Sequence, residues 1–356
     1  MITVNPAHAT TGIGSLPHHN IDSALDFSFR AGIPFLPQIP IRNPWEFMIA
    51  QALEGLPGLE VEKDGAVFLN LDVWKSRSQE LDRKLNEAFS RSAQEKEAFI
   101  GFEPSPAVSS SWQPFLWELE ERGTSLAKIQ IAGPMTAQWA LRAKGGDSLD
   151  QYPEVTSQIF RLIMARAVAM SRRLKTAGIQ PLIFLDEPGL YGLSLTNTRH
   201  LMGLQELKLL VQTLSKEGAT IGLHCCSNTI WSRVLELGLD YLSIDADLSL
   251  SGLIGDARGA RVAEFVKRGG RLSLGIIRTG SADRSVMLRT LRPAVLFGNL
   301  METLGRVWKD EAELVKKVLG EALYTPACGL ALHSTEEAEW ILETLNAFHK
   351  DCISKL

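Results

Sequence analysis

The stretch Thr220-Ile221-Gly222-Leu223-His224-Cys225-Cys226-Ser227-Asn228 is a short apolar run that ends in a histidine and two cysteines. The apolar part reads as a buried strand, and the Ser/Asn end suits the start of a helix. Soft, polarizable side chains at the carboxyl end of a buried strand are the ligand type a zinc site uses. Alternation along a strand puts residues i and i+2 on one face, so His224 and Cys226 can reach one ion while Cys225 points away. The chain holds four cysteines. A third member of the set, Cys328, lies in Thr325-Pro326-Ala327-Cys328-Gly329, which reads as another strand end. Asp245, closing the run Tyr241-Leu242-Ser243-Ile244-Asp245, is a candidate fourth ligand.

The pattern around this stretch is regular. Short apolar runs followed by helical periodicity begin near Thr11, Pro34, Ala127, Pro181, Thr220, Tyr241, Arg271 and Ala322. Eight such βα units predict a (β/α)₈ TIM barrel, with a β-hairpin and helical elaboration after strand 2. The whole chain, 1–356, reads as a single domain with residues 55–125 inserted. The turn signal Lys63-Asp64-Gly65 places the hairpin between Leu59 and Leu71. A doubly wound sheet is the rival architecture. The barrel is favoured because polar residues recur at successive strand ends (Ser15, Asp186, His224, Cys226, Asp245, Cys328), which a barrel gathers at one mouth.

A hydrophobic fraction of 45% with 22% charged residues fits a globule with a large core. The net charge of −4 leaves no basic footprint for nucleic acid. Cysteines that are few and partly adjacent do not form a disulfide framework, which points to a reduced compartment. Met1-Ile2-Thr3-Val4-Asn5-Pro6 lacks the basic and apolar regions of a secretory leader. No apolar run approaches the ~20 residues of a membrane span. The expectation is a cytoplasmic protein with neither nucleic-acid nor membrane partners.

Three further stretches carry chemistry. Asp186, at the end of Pro181-Leu182-Ile183-Phe184-Leu185-Asp186, can bind a substrate ammonium or act as a base, or simply cap the following turn. Ile13, Gly14 and Ser15 can offer backbone N–H groups to an anion, or form a tight turn that needs glycine. Trp139 can stack on a flat ligand or pack in the core.

Taken together, these segments resemble the C-terminal catalytic barrel of cobalamin-independent methionine synthase, in the superfamily shared with uroporphyrinogen decarboxylase. Ile13-Gly14-Ser15 resembles the loop that contacts the amino-acid substrate, and Gly133-Pro134-x-Thr136 with Trp139 resembles the folate-side segment. Asp186-Glu187-Pro188 is similar to the motif whose aspartate binds the homocysteine amine. His224-x-Cys226 and Cys328-Gly329 match three zinc ligands. The chain departs from that family at several points. Asp245 stands where the family has a glutamate ligand, Pro37-Gln38-Ile39 replaces the strand-2 HGE motif, and Gly275–Gly280 lacks the catalytic histidine. The acidic residue presented to folate is missing from Gly189-Leu190-Tyr191-Gly192.

The resemblance implies a Zn²⁺-dependent methyltransferase of the methionine biosynthesis type. Its metal would sit on His224, Cys226, Cys328 and Asp245. Ile13, Gly14, Ser15, Asp186 and Trp139 would surround the substrate, with Asp186 catalytic. The acceptor would be homocysteine or a related thiol, and the missing folate-side residues point to a methylated corrinoid protein as donor. The alternatives are another enzyme of the same superfamily, or a non-catalytic zinc-binding or carrier-docking relative.

Overall fold

The computed structural model describes residues 10–92, 95–255, 257–280 and 292–353. Met1–Pro6, read for a leader, lie outside the described residues, as does Asp256, from which the sequence pattern over 256–267 reads as a helix. In chain order the strands are β1 Leu59–Val61, β2 Val67–Leu69, β3 Leu126–Ala132, β4 Arg142–Ala143, β5 Gln180–Asp186, β6 Thr220–Cys225, β7 Tyr241–Asp245, β8 Arg271–Ile277 and β9 Leu323–Pro326.

Six of them make one parallel sheet in the order β3-β5-β6-β7-β8-β9. These runs are buried almost throughout, as strands covered on both faces must be. The register is in step. Ala132 pairs with Asp186, Asp186 with His224, and His224 with Ser243. Partners in a parallel ladder point to the same face, so Asp186, His224 and Ser243 form one row across three strands. Period two puts Phe184 and Leu182 below Asp186 on that face. There they join Ile33, Leu126, Tyr241 and Leu323 in a small apolar cluster. The alternate residues Ile183, Leu185, Ile221, Leu223, Leu242 and Ile244 face the other way, into the main core.

That main core is built with amphipathic helices. Pro153–Thr176 starts on proline at its first turn and buries Ile159, Leu162, Ile163 and Leu174. Helix Leu71–Arg91, capped by Asn70, lies against it, and Trp74 Nε1 donates to Gln158 Oε1 at 2.8 Å. The expected hairpin is present, with β1 and β2 antiparallel from Leu59↔Leu69 to Val61↔Val67. Its sheet is completed by β4. Phe99–Pro104, whose apolar run reads as a strand in the sequence, is instead a 3₁₀ turn over Ile100–Phe102. Thr229–Leu237, which reads as a helix in the sequence, is helical only over Trp231–Val234. Among the described residues no helix is long and apolar enough to cross a membrane.

The closed eight-stranded TIM barrel is not what forms. The sheet is a curled, six-stranded, all-parallel half-barrel. The segments expected as strands 1 and 2, beginning at Thr11 and Pro34, make isolated bridges instead of ladders. Thr10 bridges Tyr324, Ser15 bridges Gln38, and Phe35 bridges Lys128. The reason lies in their composition. Pro34, Pro37 and Pro40 have no N–H to donate, which limits a continuous ladder in that segment. Gly14 sits at φ +153°, outside the strand region open to other residues, and breaks the first segment.

Candidate metal centre

The β6 register decides which side chains meet. His224 is buried, and its Nδ1 is hydrogen-bonded to Ser243 Oγ at 2.9 Å, one strand over. Its Nε2 is buried and makes no hydrogen bond, an orphan that a folded protein normally satisfies. The ligand atoms of His224, Cys226 and Cys328 all lie within 4.8 Å of one another. Metal bond lengths of 2.0–2.3 Å would bring tetrahedral donors to about 3.5–3.8 Å, within reach of small side-chain rotations. These three residues can therefore hold a metal ion.

Ionisation fits that use. The thiol of Cys226 is pulled well below its ordinary range, first by the adjoining Cys328 and then by His224. Cys328 is pushed up because it faces the sulfur of Cys226. The two sulfurs titrate as a pair, and a cation between them would release the proton they share. Cys225 behaves differently. It is buried, its Sγ donates to the Ser227 carbonyl at 3.2 Å, and burial pushes it up to about 12, so it stays a thiol.

Beside the trio is a cavity of about 150 Å³ whose lining includes Ile13, Ser15, Gln38, Asp186, Cys226 and Cys328. Asp186 is 6% exposed and its Oδ1 is buried without a hydrogen-bond partner, so it does not cap the following turn. Burial pushes its carboxyl up to about 6, against the opposing pull of His224 and Lys128. Its neighbour Glu187 does not cap that turn either and reaches instead to another helix. Glu187 accepts from Met135 N at 3.0 Å and from Thr136 N and Oγ1 at 2.7 and 2.6 Å. That carboxylate ties the end of β5 to the first turn of helix Pro134–Ala140.

The first segment of the chain reaches the site through two close approaches. A Cβ on Gly14 would stand 2.5 Å from the Gln130 side chain, so glycine is required there by space as well as by φ. A Cβ on Gly329 would stand 2.0 Å from Ser15 Oγ, which puts the Ser15 hydroxyl directly against the residue after Cys328. The Ser15 carbonyl also accepts from Leu330 N at 2.8 Å.

Two expected site residues are placed elsewhere. Asp245 is not part of the trio. Its carboxylate accepts from Leu248 N at 3.0 Å and caps helix Ala246–Ile254. The short aspartate at a strand-to-helix junction finds the backbone of its own turn first. Trp139 packs against His200, with ring centroids 4.3 Å apart and the planes tilted by 40°, and does not line the cavity.

Sequence reasoning missed Ser243, Gln38 and Lys128. Gln38 Nε2 donates to Gln51 Oε1 at 2.7 Å and Gln51 Nε2 to the Val108 carbonyl at 2.8 Å, a relay that orients the Gln38 amide at the cavity wall. Ser243 and Lys128, polar side chains inside mostly apolar strands, are the visible signals. No protein-family model matches this chain, and no curated protein matches its sequence.

Proposed function

We propose that this chain is a zinc-dependent, methionine synthase-like methyltransferase that activates a thiol as methyl acceptor. The observation that carries the reading is the meeting of His224 Nε2, Cys226 and Cys328 beside a cavity that also holds an unpartnered Asp186. One nitrogen and two sulfurs form a soft donor set suited to zinc, and three protein ligands leave a fourth position for substrate. Zinc held there supplies the ionisation of a bound thiol near neutral pH.

The protein's own groups do the rest. In the tautomer that donates Nδ1–H to Ser243, His224 presents the Nε2 lone pair to the centre. Asp186, desolvated and without an internal partner, favours a substrate ammonium and would fix the thiol's orientation through it. Ser15 and Gln38 line the same cavity and bound the substrate laterally. The motif resemblance to cobalamin-independent methionine synthase supports methyl transfer, and the absence of its folate-side acid favours a methylcorrinoid donor.

Metal analysis tests the core of this reading. Protein purified without added zinc should carry about one equivalent per chain, and Cys226→Ser and Cys328→Ser should lose most of it. Wild type without stoichiometric zinc, or variants that keep it, would remove the foundation. Thiol-dependent demethylation of methylcobalamin tests the transfer itself.

A further inference from the structure

We infer that Lys128, remote from the metal donors in sequence and on the far edge strand of the sheet, is the positioning residue for the Cys328 limb of the centre. Lys128 is 1% exposed, in the middle of β3, on the face that carries Asp186 and His224. A buried ammonium is costly unless its donors are used. Here Nζ donates to the Ile13 carbonyl at 2.8 Å and to Gln130 Oε1 at 3.2 Å, and it stands 4.9 Å from the centre of the Phe184 ring. Gln130 in turn donates Nε2 to the Leu36 carbonyl at 2.8 Å. Two neighbouring side chains on one face of β3 therefore grip both N-terminal segments, the ones that lack a ladder of their own.

The grip on Ile13 is transmitted in three short steps. Ile13 leads through Gly14, pressed on Gln130, to Ser15. Ser15 receives the Leu330 N–H on its carbonyl and sets its hydroxyl against Gly329. Gly329 adjoins Cys328. His224 needs no such support, since the β5–β6–β7 ladder and Ser243 already orient it, and Cys226 follows directly on Cys225, the last paired residue of β6. Cys328 lies beyond the end of β9, on the solvent-facing rim, and depends on the segment that Lys128 holds. A neutral chain of similar length at position 128 would fill the space and lose the hold.

The test uses the full chain with two readouts. One is cobalt(II) affinity with its thiolate-to-cobalt absorption, which rests on the metal reading above. The other is the rate of iodoacetamide alkylation at Cys328 in metal-free protein, followed by peptide mapping, which does not. Lys128→Met is expected to weaken cobalt binding about tenfold, the lower end for a residue that orients a ligand. It should also raise alkylation at Cys328 more than at Cys226. Gly329→Ala, which displaces Ser15 from the other end of the same path, should give the same signature and serves if Lys128→Met does not fold. Leu210→Ala, a core truncation on helix Thr198–Lys216, controls for general loosening. Wild-type behaviour in Lys128→Met or Gly329→Ala, or the same Cys328-selective change in Leu210→Ala, overturns the inference. A wild type that binds no cobalt defeats the metal reading alone, and the alkylation readout still decides the role of Lys128.

Discussion

The two walls of the candidate centre are held by different physics. On one side, Asp186, His224 and Ser243 ride on paired strands whose register sets their row, with neutral hydrogen bonds running throughout. On the other, Ile13, Ser15, Gln38 and the Cys328 loop hang on single bridges and on side chains reaching across the sheet. A ladder positions a residue through many small, redundant interactions. A clip positions it through one or two, and concentrates the cost of a buried charge at one place.

The largest expected effect probes that charge. Burial lowers the pKa of Lys128 to about 8, against a weaker opposing pull from Asp186. Between that value and the ordinary lysine value the unfolded chain binds the proton and the folded chain does not, so stability rises with pH. The gain is complete above the unfolded pKa and is lost as pH falls through about 8. Denaturant unfolding at pH 8 and at pH 10.5 should show wild type gaining on the order of 3 kcal/mol relative to Lys128→Met. Parallel curves for the two proteins would mean that the bridged wall carries no such charge.

A smaller effect is expected on the ladder side. Ser243→Ala leaves the strand in place and frees His224 Nδ1, which should weaken metal affinity about tenfold, read by chelator competition. An unchanged affinity would show that the ladder alone orients the imidazole. Smallest is Asp245→Ala, which removes a helix cap and should cost about 1 kcal/mol of stability with metal stoichiometry intact. Loss of metal in that variant would return Asp245 to the centre and break the division between the walls.

How far the sequence could be read follows the same division. The strands at Ala127, Pro181, Thr220, Tyr241 and Arg271 were legible because apolar runs of that length, bounded by glycine and helical patterns, have few other uses. Their alternation was enough to separate Cys226 from Cys225. The N-terminal segments also read as strands, yet proline and glycine left them only single bridges. Helices Trp112–Glu121 and Ala246–Ile254 went unread, since the same apolar residues at strand ends and in loops gave no clean period.

Chain chemistry by itself determined which atoms can act as soft ligands and which strand face presents them, because side-chain type and a period of two are local properties. Tertiary structure alone decided the partners. It took Asp245 for a helix cap and Trp139 for His200, gave His224 to Ser243, and tied Ile13 to Lys128. The stretch from Thr220 to Asn228 supplies two of the three donors. Cys328 joins them only because the sheet's curl brings β9 and the first segment together, and no local pattern records a contact across so many residues.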